Sequence, residues 1–342
     1  MIDLLQQFRA RLVPKLRVVE ISKINRVKIH YADGSKLGFD ALLDGAALGS
    51  IFVVYEAFCK WVLGVDLNVE SSILIVKDYL TKVKCIMASL EIHQFPCRSD
   101  NFGVLIHDAD AGVTASIDAP EGVAVERALA DTGWTLTHII TTHHHGDHVE
   151  GNLMLKQKYN VHIIGPEAEA SKIPGIDETV REGDSFKFGS FKVEVIETPG
   201  HTLGQVNYFL PEAKVAFTGD TLFALGCGRI FEGTPAQMWG SMVKLKKLPA
   251  DTTIYCGHEY TLANAKFALT VDPDNQALVE RVAEIEALRA QDKPTLPTTM
   301  AIELATNPFL RPEDAAIRAH LGMADASDEA VFTEIRHRKD VS

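Results

Sequence analysis

The stretch Thr142-His143-His144-His145-Gly146-Asp147-His148 decides what fold this chain should adopt. Its imidazole and carboxylate groups are side chains that suit zinc, iron or manganese. The run is internal and follows the apolar, β-branched segment 136–141, which is typical of a strand. A histidine tag or surface tract lacks such a setting. The pattern therefore predicts a metal site at a strand end and makes the chain a candidate metal-dependent hydrolase.

The spacing within the run separates its side chains. His143 and His145 are two residues apart, so on an extended chain they point the same way, whereas His144 points elsewhere. Asp147 and His148 follow a glycine that lets the backbone turn. The run can present two ligands to one ion and two to a neighbouring ion. A single ion with three or four ligands stays an alternative.

The composition is that of an ordinary globular protein of two or three domains. Its 342 residues are 46% hydrophobic and carry a net charge of −12, which does not favour a nucleic-acid partner. Five scattered cysteines argue against a disulfide framework and favour a reducing, cytoplasmic location. The sequence offers no apolar, uncharged stretch of about 18 residues, so we expect no membrane span. We also expect a monomer.

A change of charge predicts a boundary near Met87. Residues 1–86 hold 12 Lys and Arg against 9 Asp and Glu, a net charge of +3, while residues 87–342 hold 22 against 37, a net charge of −15. We expect residues 1–86 to be an extension, of which 2–12 is an amphipathic helix and 16–31 has strand-like alternation. Three interpretations stay open: an accessory or dimerisation domain, a targeting segment, or upstream sequence before a native start at Met87.

After residue 90, short β-rich runs alternate with helical stretches, which predicts a mixed α/β domain. Strands are expected at 104–106, 115–118, 136–141, 161–164, 186–196, 206–210, 215–218 and, as the last one, 253–256. A helix is expected near 122–133, and the chain becomes helical after Tyr260, with helices at 275–291, 312–321 and 328–339.

Three more potential ligands follow predicted strands. His201 begins a loop in Thr198-Pro199-Gly200-His201, Asp220 lies in a tight turn after 215–218, and His258 follows 253–256. A single histidine after a strand is more often a hydrogen-bonded loop residue. Together with the histidine run, however, these residues make seven potential ligands at strand ends. A metal site explains such a number better than hydrogen bonding within the loops does.

These residues, in this order, resemble the metallo-β-lactamase superfamily and, within it, glyoxalase II, the hydroxyacylglutathione hydrolases. The resemblance covers residues 88–342. The supporting strings are Phe95-Pro96-Cys97, Asp100-Asn101, Thr218-Gly219-Asp220-Thr221-Leu222-Phe223, Gly226-Cys227-Gly228-Arg229, Phe231-Glu232-Gly233-Thr234, Cys256-Gly257-His258-Glu259-Tyr260-Thr261 and Asn307-Pro308-Phe309-Leu310-Arg311. It implies an αββα sandwich at 87–260, a C-terminal helical substrate-binding domain at 261–342 and an N-terminal extension at 1–86.

The resemblance also implies a metal centre and a reaction. Two divalent ions, with zinc favoured over iron or manganese, would be bridged by Asp220 and a hydroxide. One ion would take His143, His145 and His201, and the other Asp147, His148 and His258. The hydroxide would hydrolyse S-D-lactoylglutathione to D-lactate and glutathione, the second step of methylglyoxal detoxification, with Asp147 and Asp220 as the catalytic carboxylates.

The positions that bind glutathione in the family correspond here to Arg229, Phe231, Tyr260, Arg336 and Lys339. Phe231 stands where some relatives have Tyr, so one hydroxyl contact is missing. Arg229 replaces a Lys of some members, which keeps the charge and changes its geometry. An alternative for the basic residues of 336–339 is a solvated helix end, where cations favour the helix dipole.

Two other functions stay open. One is a mononuclear iron persulfide dioxygenase of the same superfamily, and the other is a non-catalytic binding protein on this scaffold. Some lactamases of the superfamily carry a metal-binding cysteine near the position of Asp220. Because this chain has an aspartate there, a β-lactam hydrolase is not expected. We expect Cys227 and Cys256 to be packing residues.

Overall fold

A computed structural model describes residues 89–342 in full and, within residues 1–88, the backbone of three strands. It divides into two compact units, 1–85 and 86–342. The division into 1–86, 87–260 and 261–342 stays a prediction. The helix expected at 2–12 lies outside the described residues.

The first unit contains a three-stranded antiparallel sheet, ordered β1 (Leu16–Lys23), β2 (Arg26–Tyr31) and β3 (Lys36–Asp40). Strands β1 and β2 pair as neighbours, with Ile21 opposite Val27. The strand-like alternation expected at 16–31 is therefore confirmed, as two strands rather than one.

Two six-stranded sheets form the second unit. The first sheet contains β4 (Leu90–Cys97), β5 (Asn101–Asp108), β6 (Val113–Ile117), β7 (His138–Ile140), β8 (His162–Pro166) and β9 (Glu178–Val180), in that order. Its strands β4 to β6 are antiparallel, and β6 to β9 run parallel. Parallel strands end at the same edge of a sheet, so the loops that follow β6, β7 and β8 begin on the same side.

The second sheet is mostly an antiparallel meander. It contains β10 (Ser185–Phe188), β11 (Phe191–Glu197), β12 (Val206–Leu210), β13 (Val215–Phe217), β16 (Thr253–Tyr255) and β17 (Thr298–Thr299). Between β13 and β16 the chain forms a small hairpin of β14 (Leu222–Phe223) and β15 (Gly226–Cys227). Strands β13 and β16 pair in parallel.

Two strand predictions are wrong in detail. The strand expected at 186–196 is a hairpin, because Gly189 adopts a φ of +57° that reverses the chain between β10 and β11. The strand ending at 256 is not the last one, since β17 pairs with β16. A strand of two residues is too short to show alternation.

The helices lie outside the two sheets. They are α1 (Gly122–Thr132), α2 (Gly146–Val149), α3 (Asn152–Tyr159), α4 (Pro235–Leu245), α5 (Thr261–Val271), α6 (Gln276–Arg289), α7 (Met300–Thr306), α8 (Ala315–Leu321) and α9 (Asp328–Asp340). Their ends follow capping rules: the Asn275 side chain accepts a hydrogen bond from Leu278 N, and α1 stops at Gly133 with a φ of +74°. Among the described residues, none of these helices combines the length and apolar character needed to cross a bilayer.

Three apolar layers hold this unit together. Residues such as Ile106 and Ile140 of the first sheet pack against Val193 and Phe217 of the second. The outer face of the first sheet packs on α1 and α3, and the outer face of the second packs on α4 and on helices that follow residue 260. The order helix, sheet, sheet, helix confirms the predicted αββα sandwich with its helical C-terminal part.

Asn307 connects the C-terminal helices to the β14–β15 hairpin. It is fully buried, and its amide donates to Phe223 O at 3.2 Å and Gly226 O at 3.1 Å, while its oxygen accepts from Phe309 N at 3.0 Å. Its side chain thus satisfies carbonyls that would otherwise be buried without a partner.

We therefore expect Asn307→Ala to lower the free energy of unfolding by about 1–3 kcal/mol, because buried carbonyls lose their donor. Urea denaturation measures the loss. The control is Gln276→Ala on the exposed face of α6, which should change stability by less than about 0.5 kcal/mol. Equal small effects for both variants would contradict this role of Asn307.

Candidate metal centre

The loops after four strands carry the predicted ligands. The histidine run follows β7, His201 follows β11, Asp220 follows β13 and His258 follows β16. Strands β11, β13 and β16 run in the same direction, because β11 and β13 are both antiparallel to β12 and β16 is parallel to β13. Their loops therefore meet at one edge of the sandwich, where the histidine run from the other sheet joins them.

His143, His145 and His201 form the first cluster of this site. His145 Nδ1 lies 3.1 Å from His143 Nε2 and 2.9 Å from His201 Nε2. Three imidazole nitrogens thus point at one small volume. His143 is fully buried and His201 is nearly so, which keeps competing water away from their nitrogens.

Asp147, His148 and His258 form the second cluster. Asp147 Oδ2 lies 3.3 Å from His258 Nε2 and 3.6 Å from His148 Nε2. The short helix α2, which begins within the histidine run, carries Asp147 and His148. The ring of His148 also lies close to that of His143, with centroids 4.1 Å apart, so the two clusters are in contact.

Asp220 lies between the two clusters. Its Oδ1 is 3.4 Å from His148 Nε2, and its Oδ2 is 3.4 Å from His201 Nε2 and 3.3 Å from His258 Nε2. The backbone packs closely around this carboxylate at two glycines. A Cβ at Gly257 would lie 2.5 Å from Asp220 Oδ1, and one at Gly228 would lie 1.9 Å from Asp220 O. Only glycine fits at either position.

The donor set fits divalent cations. Within the described residues, the buried atoms His148 Nε2 and Asp220 Oδ1 have no hydrogen-bond partner. Buried polar atoms are almost always paired, and these two atoms, which lie 3.4 Å apart, would both be satisfied by a cation between the clusters. Five imidazoles and two carboxylates are ligands of the kind that zinc, iron and manganese accept.

Side chains and a carbonyl behind the ligands fix their orientation. Asp118 Oδ2 lies 2.7 Å from His148 Nδ1, Asp100 Oδ1 lies 2.9 Å from His258 Nδ1, and the carbonyl of Arg229 lies 2.8 Å from His201 Nδ1. Each of these histidines therefore turns its other nitrogen, Nε2, toward the centre. Such outer partners also make the imidazole a stronger ligand.

Asp118 contributes more than this one contact. It accepts hydrogen bonds from Thr142 N at 2.7 Å and Thr142 Oγ1 at 2.8 Å, so it holds the start of the histidine run as well as His148. Its φ of +57° is uncommon for Asp and places the side chain under the run. No motif in the sequence indicates this role of Asp118. Its position directly after β6, a parallel neighbour of β7, was the available signal.

His144 lies outside both clusters. Its backbone N–H donates to Glu169 Oε2 at 2.8 Å, and Gly204 N donates to Glu169 Oε1 at 3.0 Å. Glu169 is buried and thereby joins the loop of His143 and His145 to the loop of His201. Nothing in the local sequence around Glu169 indicates these two hydrogen bonds, because their donors, His144 and Gly204, lie in other segments of the chain.

The electrostatics of the two clusters differ. Burial lowers the pKa of His143, His145 and His201, which keeps these imidazoles neutral, as ligands must be. Burial also acts to lower the pKa of His258, but the Asp220 and Asp147 carboxylates outweigh it and raise that pKa to about 10. The pKa of His148 rises well above its usual value through Asp220 and Asp118, against the effect of burial. Without a cation, protons therefore occupy the second cluster.

The predicted substrate residues surround this edge. Tyr260 stacks on His258, with ring centroids 4.7 Å apart, and Phe231 lies edge-on to His201 at 5.3 Å. Phe231 is 61% exposed. The Arg229 side chain is also exposed, and its backbone holds His201.

Arg336 and Lys339 lie on the last turns of α9, and their side chains are less accessible. Arg336 is 6% exposed and donates from Nη1 to Cys227 O at 2.9 Å. Lys339 Nζ donates to Ala263 O at 3.2 Å, and burial lowers the pKa of this lysine. The alternative of a solvated helix end therefore does not describe Arg336.

Cys227 and Cys256 are buried near the centre. Burial raises the pKa of Cys227 to about 11 and that of Cys256 to about 12. Neither thiol belongs to a cluster of potential metal ligands in the described part of the chain. These observations favour the predicted packing role.

Metal binding should release protons. Because His148 and His258 have raised pKa values, they must lose their protons before they can bind a cation, so we expect the affinity for zinc to rise about tenfold per pH unit for each proton released. Calorimetry in buffers of different ionisation enthalpy measures the release. His258→Gln should release one proton fewer. An enthalpy independent of the buffer would contradict these protonation states.

Asp118 should control metal affinity without being a ligand. We expect Asp118→Ala to weaken zinc binding by about 10- to 100-fold, because His148 and the histidine run lose their anchor. Equilibrium dialysis measures the affinity, with Asp131→Ala on the exposed surface of α1 as control. Wild-type affinity in a folded Asp118→Ala protein would show that the ligands keep their orientation unaided.

The sequence matches two families along its length. Residues 109–258 match the family described as metallo-beta-lactamase superfamily, and residues 259–342 match hydroxyacylglutathione hydrolase C-terminus. Proteins named hydroxyacylglutathione hydrolase from Brucella ovis and Brucella abortus are each 67% identical over 252 residues, which is 74% of this chain and 98% of theirs.

Solved structures share the fold. ETHE1 from Myxococcus xanthus superposes with a TM-score of 0.53 at 26% identity, covering 72% of this chain and 90% of that one. A metallo-beta-lactamase from Staphylococcus aureus gives 0.52 at 20% identity, covering 72% of this chain and 67% of that one. The resemblance seen in the sequence is thus confirmed: this chain belongs to the hydroxyacylglutathione hydrolase family of the metallo-beta-lactamase superfamily.

Proposed function

We propose that this enzyme hydrolyses S-D-lactoylglutathione and related glutathione thioesters to D-lactate and glutathione, the second step of methylglyoxal detoxification. The observation that carries the proposal is the convergence of seven potential ligands beside exposed Arg229 and Tyr260. The names of the relatives at 67% identity agree with it. The C-terminal match to the hydrolase family favours this reaction over a persulfide dioxygenase.

Membership of the superfamily implies divalent metal ions. His143, His145 and His201 would hold one ion, Asp147, His148 and His258 the other, and Asp220 would contact both. Zinc is favoured, with iron or manganese as alternatives that the same ligands accept. When bound, the two cations would lower the pKa of a shared water and polarise the thioester carbonyl.

Asp147 would orient the attacking water. Without a metal, a hydrogen bond from His258 holds the pKa of Asp147 well below its usual range, so the carboxylate is ionised, and a bound cation would favour the same ionised form. Asn101 fixes it by donating to Asp147 Oδ2 at 3.1 Å. Water that donates a hydrogen bond to this carboxylate would keep a lone pair free to attack the thioester carbonyl carbon.

The reaction ends when the C–S bond breaks and glutathione leaves as a thiolate. A thiolate is a weak base, so the site needs no dedicated general acid. The glutathione part carries two carboxylates, which Arg229, Arg336 and Lys339 would attract, while Tyr260 would offer its hydroxyl and Phe231 an apolar contact. Burial raises the pKa of Tyr260, so its hydroxyl keeps its proton and can donate. A monomer in the cytoplasm stays a prediction from the sequence.

The direct test is hydrolysis of S-D-lactoylglutathione, followed by loss of the thioester absorbance, together with a metal analysis. We expect thioester hydrolysis with two metal ions per chain. His143→Ala should lower kcat by at least about 100-fold and also reduce metal content, because three first-cluster ligands become two.

The matched control is His144→Ala, which alters the neighbouring histidine outside both clusters and should keep its metal and most of its activity. Oxygen consumption with glutathione persulfide, at one iron per chain, would instead favour the dioxygenase. A metal-loaded protein without activity on either substrate would favour the binding protein.

A further inference from the structure

The carboxylate of Asp340 lies between two arginines at the end of α9. Its Oδ1 is 2.8 Å from Arg336 Nη2 and 3.5 Å from Arg229 Nε. The Asp340 side chain is 34% exposed, so solvent reaches its carboxylate. Both arginines are residues to which we assign the carboxylates of glutathione, so a carboxylate of the protein already occupies part of that site.

The contact with Arg336 is firm. The guanidinium is 7% exposed, donates to Cys227 O and lies over the ring of Phe309, 5.2 Å from its centroid. Within the described residues, its buried Nε has no hydrogen-bond partner. A buried cation without an anion is costly, and Asp340 supplies the anion.

The contact with Arg229 is loose. The Arg229 side chain is 58% exposed, and a distance of 3.5 Å at the surface stabilises little. Its backbone, however, is held at the metal centre through His201, and Gly228 before it packs against Asp220. The guanidinium can therefore exchange Asp340 for another carboxylate while its backbone stays in place.

We propose that Asp340 is a built-in competitor for the glycine carboxylate of the substrate, which is the more attractive of the two carboxylates for an arginine because no ammonium group lies beside it. In the free enzyme it pairs with Arg336 and Arg229, and a bound thioester takes over Arg229. Asp340 thereby keeps the buried Arg336 neutralised and sets how tightly glutathione and its thioesters bind. This inference rests on the proposed function, and it makes Asp340 a positioning residue that does not touch the reacting atoms.

The test is Asp340→Asn in the full-length, metal-loaded enzyme. Asparagine keeps an oxygen for Arg336 Nη2 and removes the negative charge. We expect KM for S-D-lactoylglutathione to fall about three- to tenfold with kcat unchanged, because a surface charge a few ångströms away is removed. For the same thioester with its glycine carboxylate converted to an amide, KM should not change.

Glu334→Gln is the matched control. Glu334 lies on the same helix, pairs with Arg338 at 2.7 Å and has the same 34% exposure, so it tests the loss of one charge without the contact to Arg229. Its kinetics should match the wild type with both substrates. A raised KM in Asp340→Asn, or an equal change with the acid and the amide, would overturn the inference.

Failure of the proposed function would be visible separately, as a wild-type enzyme that does not hydrolyse either thioester. Calorimetric binding of glutathione and of glutathione amide then tests Asp340 by itself. Tighter binding of glutathione alone to Asp340→Asn supports the competitor role, and unchanged binding of both contradicts it.

Discussion

The rest of the site depends on the buried carboxylate of Asp220. Three imidazole nitrogens lie within 3.4 Å of its oxygens, and one of those oxygens has no hydrogen-bond partner among the described residues. Burying such a group is costly unless a positive charge faces it. Without metal, protons on His148 and His258 supply that charge, and with metal, cations would replace them. The same carboxylate thus explains both the raised pKa values and the need for ions.

The order and direction of the strands bring the other groups to this carboxylate. Parallel and same-direction strands end at one edge, so four loops meet there without long connections. Gly257 and Gly228 let the backbone approach Asp220 closely. Asp118 and Glu169 accept hydrogen bonds from these loops and fix their positions. Rigid placement of this kind means that little reorganisation is needed when charge develops during the reaction.

The C-terminal helices support the site through contacts with the β14–β15 hairpin. Asn307 holds the hairpin that follows Asp220, and Arg336 holds the carbonyl of Cys227 within that hairpin. The segment from Cys227 to Arg229 therefore lies between the metal centre and α9. In the proposed function, stability and substrate binding would share this segment, so changes in the last turns of α9 would alter affinity without touching the potential metal ligands.

The seven potential ligands were predictable because they follow strand ends that local patterns indicate. Asp118 and Glu169 were not, since the residues that they hold lie at least 24 positions away in the sequence. The helical spacing of Asp340 allows its pair with Arg336, but its contact with Arg229 is 111 positions away and has no local signal. The hairpin at Gly189 was missed for a different reason: its two strands share a β-rich composition, and only the turn separates them. Family resemblance supplied the division of ligands between two ions, which residue spacing alone left open.

The most direct measurement is anomalous diffraction from crystals of the zinc-loaded enzyme. Two separate anomalous peaks are expected, one bounded by His143, His145 and His201, the other by Asp147, His148 and His258, with Asp220 between them. A single peak in either cluster, at full zinc saturation and with the seven side chains in place, would contradict the two-ion centre.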